Sequence, residues 1–328
     1  MPFQISPGVN VSEIDLSTIV PAVSTTTGGI AGHFRWGPVQ KRVLIDTEDN
    51  LALQFGRPDA NTADSFFTAA SFLGYGNQLF VVRAINEAGS TTNARNAITN
   101  AANTTNTVIK NDDDYILNYS SGISGVGNWV AKYPGELGNS LRISVCPTAN
   151  AWSSTLTGSL AFTNNSTTVT GSSTTFNNQV RVGDILLAGP DRYEVKVASV
   201  ANNTSLVLQS RYVGNTVAAQ SSVNRRWEFY NYFDAAPGSS EYVSKQGGSG
   251  DEMHIVVADE DGLWSGRANT VIERFAGVSK ANDALTQDGG TNYYKEVVNQ
   301  RSQYVWWTSQ LTGITNAGKA SSGVSFGV

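Results

Sequence analysis

The chain has 328 residues, 40% of them hydrophobic, with 27 acidic and 22 basic side chains and a net charge of -5. That length supports one large domain or two to three ordinary ones, and the balance carries no basic field of the kind that nucleic acid selects. No apolar run reaches the ~18 residues of a membrane span, residues 1–10 (MPFQISPGVN) lack a secretory pattern, and the single cysteine, Cys146, excludes an intrachain disulfide. Cys146 lies in the run LRISVCP and reads as a buried, inert thiol. These features favour assembly in a reducing cytoplasm.

The N-terminal segment is strongly patterned. Phe3, Ile5, Pro7, Val9 and Val11 alternate with polar residues and glycine, the period of a strand with one buried face. Pro7 cannot donate to a ladder, which places the strand at a sheet edge. The phase then slips to Ile14 and Leu16, predicting a bulge or bend near Ser12 and Glu13. Pro21 and the tract Ser24–Gly29 read as a connector, so residues 1–28 form an arm and linker. By itself such a strand leaves backbone groups unpaired and an apolar face wet. It needs a sheet edge in its own chain or in another copy, and the pattern alone leaves both open.

Residues 29–153 read as the first part of a mixed α/β domain. A strand spans Ile30–Trp36 and stops at Gly37 and Pro38. Thr47 is placed to cap a short helix bearing Leu51 and Phe55, closed by Gly56 and Pro58. A second helix starts near Thr62, with Ala63, Phe66, Phe67, Ala70 and Leu73 at helical spacing and Gly74 and Gly76 behind it. Leu79–Ile85 is almost continuously apolar and is predicted as a strand covered on both faces. Residues 86–128 read as a polar surface excursion, after which the chain re-enters the core at Trp129–Tyr133.

Residues 154–223 change character, with short strands separated by turns at about 8–12-residue spacing, which suggests an inserted all-β domain, a small barrel or sandwich. The mixed pattern resumes over 224–310, with a strand at Met253–Ala258, a helix capped by Asn292 and bearing Tyr294, Val297 and Val298, and a buried strand at Tyr304–Trp307. Residues 311–328 read as a linker rich in small polar residues. The fold class is therefore α+β and multidomain, a layered α/β domain with an inserted β domain and an extended N-terminal arm.

No catalytic constellation stands out. His33 and His254 have no Cys, His or Asp neighbour at ligand spacing, so neither a catalytic set, a metal nor a cofactor is expected. Asp112–Asp114 lacks the spaced ligands and distal glutamate of a calcium loop and reads as a solvated acidic turn. Asp259–Gly262 reads as a charged turn after a buried strand. Gly122–Gly127 (GISGVG) has neither the order nor the preceding strand of a dinucleotide fingerprint.

A set of short motifs, taken together in order, is more specific. Ser6-Pro7-Gly8-Val9 with Glu13 and Asp15, Phe34-Arg35-Trp36-Gly37-Pro38, Phe55-Gly56-Arg57-Pro58, Thr62–Ala84, Tyr133-Pro134-Gly135-Glu136-Leu137-Gly138 and Asp261-Gly262-Leu263-Trp264 resemble the contractile-tail sheath proteins of large, myovirus-type bacteriophages. The resemblance implies a non-enzymatic subunit stacked in rings or a helix around a tail tube, bounded by baseplate and tail terminator proteins. It implies a place in the virion tail, assembly in the host cytoplasm, and contraction that drives the tube through the host envelope for genome ejection. It also implies that the arm residues Phe3, Ile5, Val9, Val11, Ile14 and Leu16 join subunits, and that a further C-terminal domain follows residue 328. No nucleic acid and no membrane span enter this picture. The insert has no obligatory counterpart in the family and is expected on the outer surface. The alternatives are the sheath of a phage-like injection system, a β adhesin built around the insert and, third, an enzyme, for which a hydrolase fits best.

Overall fold

A computed structural model describes residues 27–86, 95–99, 107–318 and 324–326. The arm positions Phe3, Ile5, Val9, Val11, Ile14 and Leu16 lie outside the described residues. The described residues divide into two compact units, one of residues 27–34 and 40–84, the other of residues 35–39 and those from 85 onward.

The first unit contains β1 (Thr27–Gly32), β2 (Arg42–Ile45), α1 (Glu48–Phe55), α2 (Ala63–Leu73) and β3 (Gln78–Arg83). Thr47 Oγ1 accepts from the Asn50 N–H at 3.2 Å and caps α1 as its sequence predicts, and Gly56 with φ 77° ends it. The sheet order is β1-β3-β2, with β1 parallel and β2 antiparallel to the central β3. A parallel pair needs a long crossover, and α1 and α2 lie on the connection. β1 ends at Gly32, short of the predicted Trp36, because Phe34 turns inward onto Phe55 at 4.9 Å, leaving His33 exposed. β3 alternates instead of being buried on both faces: Leu79, Val81 and Arg83 are buried, Phe80 and Val82 only partly. The stripe of α2 is rotated from its predicted position. Phe66 and Ala69 are buried whereas Phe67 is 57% exposed. Glycine decides how close α2 lies to β1: a Cβ on Gly28 would come within 2.6 Å of the Phe72 ring, and one on Gly32 within 2.6 Å of Ser65 Oγ.

The second unit contains α3 (Asp112–Asp114), which continues as a π turn over Tyr115–Tyr119, then β4 (Trp129–Ala131) and β5 (Leu141–Cys146). There follow α4 (Ala149–Trp152), β6 (Ser153–Thr155), β7 (Ser159–Phe162), β8 (Thr168–Ser172), α5 (Phe176–Gln179), β9 (Ile185–Ala188), β10 (Tyr193–Asn202), β11 (Ser205–Leu208), β12 (Val217–Ser221) and β13 (Asn224–Arg226). The unit continues with α6 (Glu241–Lys245), β14 (Glu252–Asp259), β15 (Thr270–Ser279), α7 (Tyr294–Arg301) and β16 (Val305–Trp307).

Its central sheet is antiparallel, in the order β15-β14-β5. Every residue of β14 after Glu252 is buried, because both faces are covered. Met253, Ile255 and Val257 pack with Tyr294, Val297 and Val298 of α7 and with Trp307. Val256 and Ala258, pointing the other way, pack with Cys146, Trp227 and Phe229. β16 pairs antiparallel with β4.

Three sequence expectations change here. The described parts of residues 86–128 are not a surface excursion: Ile109 and Val126 are wholly buried and Tyr115 stacks on Trp306 at 4.1 Å. Asn96 supports this passage by accepting from Ile109 N at 2.7 Å and donating to Ala131 O at 2.8 Å. Sparse anchors, each fully satisfied, replace a continuous apolar pattern. The described parts of 311–328 pack rather than hang as a linker. Ala317 and Phe326 join Val243, Ala281 and Ala284 in a small core, and Asp283 accepts from Ala317 N and Gly318 N at 2.8 Å each. Asn292 does not cap α7. Its side chain donates to Gly277 O at 3.0 Å, and Tyr293 occupies the cap position.

Residues 153–226 supply an eight-stranded sheet in the order β12-β7-β8-β11-β10-β9-β13-β6. It does not close into a barrel. The ten-residue β10 pairs with β9 through Tyr193–Lys196 and with β11 through Val197–Asn202, with register shifts on the second stretch. Those irregularities bend the sheet, and the inward residues share one core that includes Leu160, Phe162, Val169, Leu186, Val197 and Leu206. At its base Asp184, only 2% exposed, pairs with Arg225 at 3.5 Å. Burial pushes the Asp184 carboxyl up to about 6, despite the opposing pull of Arg225. A carboxyl raised on folding favours the folded chain when protonated. The Asp184 contribution to stability therefore grows as pH falls from about 6 towards the ordinary 3.8. In thermal melts at about pH 7.5, above the raised value, and at about pH 4.5, between it and the ordinary one, the wild type is expected to gain on Asp184→Asn at the acid end.

Candidate functional site

Three of the motifs on which the resemblance rests, at Trp36–Pro38, Tyr133–Gly138 and Asp261–Trp264, meet in the second unit, whereas Phe55–Pro58 and Thr62–Ala84 lie in the first. Trp36, 3% exposed, sets its ring edge-on against Trp264 (centroids 4.9 Å, 88°) and against Tyr133 (5.5 Å, 71°). Trp264 meets Tyr304 in the same way at 4.9 Å and 84°. Edge-to-face contacts of this kind add about 0.5–1.5 kcal/mol each beyond the area they bury. Trp264 Nε1 donates to Leu137 O at 3.1 Å, so its polar edge is satisfied within the knot.

The loops that bring these rings together need their glycines. Gly37 has φ 97°, and Pro38 and Val39 follow it into the interior, with Val39 N donating to Lys110 O at 2.7 Å. Gly135 has φ 150°, a backbone that a side chain would strain, and its N–H donates to Arg95 O at 2.9 Å. Gly138 lies so close to β4 that a Cβ would stand 2.9 Å from the Ala131 methyl and 3.2 Å from that of Ala97. Pro134 and Leu137 are buried, and Glu136 faces solvent. Tyr133 donates its hydroxyl to Asp112 at 3.0 Å, and burial pushes its phenol far up. Asp112 and Asp114 thus serve local structure, since Asp114 accepts from Lys110 N at 2.9 Å and from Asn118 Nδ2 at 2.7 Å.

A buried carboxylate anchors the knot. Asp259, fully buried at the end of β14, accepts from Ser140 Oγ at 2.6 Å on one oxygen. The other oxygen accepts from Trp264 N at 3.0 Å, Ser265 N at 2.7 Å and Ser265 Oγ at 2.8 Å. Burial works to raise this carboxyl, yet the bonds from Ser140, Ser265 and Trp264 outweigh it and hold it below the ordinary range. The sequence predicts Asp259–Gly262 as a charged turn after a buried strand, whereas Asp259 itself is buried as the last residue of β14. The signal for its role was its place at the end of a continuous apolar run, HIVVAD, directly before the DGLW motif.

Among the described residues no group of three or more His, Cys, Asp or Glu side chains is placed to hold a metal. His254, 6% exposed on β14, bonds Ala235 O through Nε2 at 2.9 Å and accepts from Gly277 N through Nδ1 at 3.0 Å, stacked on Phe233. Cys146 is wholly buried, and burial pushes its thiol up to about 12. Among the described residues no helix is long and apolar enough to cross a membrane.

Comparison with known proteins gives concordant results. Residues 25–84 match the family model described as "Tail sheath protein Gp18 domain III N-terminal region". The chain is 24% identical over 333 aligned residues to the tail sheath protein of Salmonella phage ViI, covering 93% of this chain and 49% of that protein. It is 43% identical over 81 residues to the tail sheath protein of Enterobacteria phage T4, covering 25% of this chain and 12% of that one. For the tail sheath protein of Vibrio phage KVP40 the figures are 37% over 131 residues, 39% and 19%. The chain thus spans about half the length of the ViI relative, and less of the other two. By its domain match and by likeness along nearly its whole length, this chain is similar to the tail sheath proteins of these bacteriophages.

Proposed function

We propose that the chain forms part of a contractile tail sheath subunit. Copies assemble in rings or a helix around a tail tube, between baseplate and terminator, and their contraction drives the tube through the host envelope. The observation that carries this reading is likeness over 93% of the chain to a protein named as a tail sheath. The knot around Trp36, Trp264 and Asp259 suits a rigid building block, because it spends buried polar groups on fixing loops rather than on chemistry. In this reading the protein is not an enzyme, assembles in the host cytoplasm and ends in the virion tail.

The residues ahead of β1 act as the arm, with the strand Phe3–Val11 and then Ile14 and Leu16 adding to a sheet edge of a neighbouring copy. Each backbone bond so made contributes only about 0.5–1.5 kcal/mol net, but in a lattice every docked arm makes the next contact effectively intramolecular. Residues 29–153 and 224–310 make one sheath domain, and 154–223 form an insert on its outer surface.

Electron microscopy of the protein expressed from its complete gene tests this. Long tubes of uniform width are expected. Removing the insert is expected to keep the tubes, and removing residues 1–20 to abolish them. Persistent monomers of the complete product would count decisively against the proposal.

A further inference from the structure

The eight-stranded sheet and the β15-β14-β5 sheet have separate hydrophobic cores, one around Leu160, Leu186 and Leu206, the other side around Cys146, Trp227 and Val256. Between them lies a cleft of about 690 Å³, bordered by Ser144, Asn150, Arg181 and Asp184 and also by Val145, Val182 and Trp227. Where the chain enters and leaves the eight-stranded sheet, Trp152 and Trp227 pack with Cys146 and Val256 of the central sheet. Charged groups cross the joint as well.

Glu228, its side chain 8% exposed, follows β13 where the chain leaves the eight-stranded sheet. One carboxylate oxygen accepts from Arg142 Nη2 at 2.8 Å, and Arg142 belongs to β5 of the central sheet. The other lies 2.6 Å from Lys196 Nζ, on β10 of the eight-stranded sheet. Gly183, at φ 92° in the turn before β9, comes so close that a Cβ there would stand 2.3 Å from the same carboxylate. A second contact pins the entering segment: Arg225 donates to Asn150 O at 2.7 Å and Ala151 O at 2.8 Å, both on α4. Trp227 Nε1 adds a bond to Ser144 Oγ at 2.8 Å.

We infer that Glu228 is a charge lock that fixes the orientation of the eight-stranded sheet against the central sheet, its double ion pair narrowing the range over which the two move. Two cations from different sheets meet one desolvated carboxylate beside the Trp152 and Trp227 rings, and removing its charge leaves both cations uncompensated at the joint. This inference does not depend on assembly into a sheath.

The test is a distance between the two bodies. Spin labels are placed on Ala201→Cys, exposed on β10, and on Ala268→Cys, exposed beyond β14. The native Cys146 is buried and its thiol raised, so it stays unlabelled. The parent is expected to give one narrow distance distribution. Glu228→Gln is expected to widen it roughly twofold or more, with the circular dichroism of both sheets unchanged, and Glu228→Asp to restore part of the narrowing. An unchanged width in folded Glu228→Gln would overturn the inference. If that variant does not fold, Lys196→Gln takes its place, since this lysine side chain is 34% exposed and tolerates replacement. An unchanged width in it, or loss of the whole fold, would equally overturn the inference, because the ion pair would then serve either nothing or the fold itself.

Discussion

Trp36→Ala is expected to destabilise the second unit by about 3–5 kcal/mol, the range for deleting a buried tryptophan. The ring is 3% exposed and holds the edges of both Trp264 and Tyr133. Its removal opens a cavity beneath Gly138, whose backbone lies too close to Ala131 to collapse further into the space. Trp36→Phe keeps an aromatic edge and is expected to lose roughly half as much. Urea unfolding followed by tryptophan fluorescence measures both, and an alanine variant within about 1 kcal/mol of the parent would remove the knot from any structural role.

The second large effect falls on Asp259. Alanine there strands the donors of Ser140, Trp264 and Ser265 in the interior, at an expected cost of about 3–5 kcal/mol near pH 7. Asparagine, which still accepts on one oxygen, is expected to cost less. The pH dependence carries a sign opposite to that of Asp184. Asp259 is held below the ordinary 3.8 in the folded chain, so its contribution is present above that pH and is lost as pH falls through its folded value. The gap between parent and Asp259→Asn should therefore be wide at neutral pH and close in strong acid. A gap independent of pH would mean that the charge plays no part. Urea midpoints across that range read it directly.

Local signals were legible wherever they rest on one residue and its near neighbours. Thr47 as a cap, Gly56 as a stop and the buried β16 were readable because a cap, a positive φ and an apolar run need no distant partner. β2 escaped notice because RVLI is four residues long and is a strand only by virtue of pairing with β3. Asn292 looked like a helix cap, but the Gly277 carbonyl, distant in sequence, claimed its side chain. The passage before Trp129 looked polar because its apolar residues are few. Ile109 and Tyr115 are buried against Val130 of β4 and Trp306 of β16, partners distant in sequence.

The sequence by itself determined the motif order, the helix boundaries of the first unit, the change to short strands over 154–223 and the resemblance to tail sheath proteins, since each is a property of neighbours along the chain. Only the tertiary structure decided that Trp36, Tyr133, Leu137 and Trp264 form one knot, that Asp259 is its buried anchor, and that Glu228 joins two sheets. Most of those contacts link residues tens to hundreds of positions apart, as Ser140 does with Asp259. Their free energy comes from removing rings and charges from water together, and no local pattern records which distant partner will share that removal.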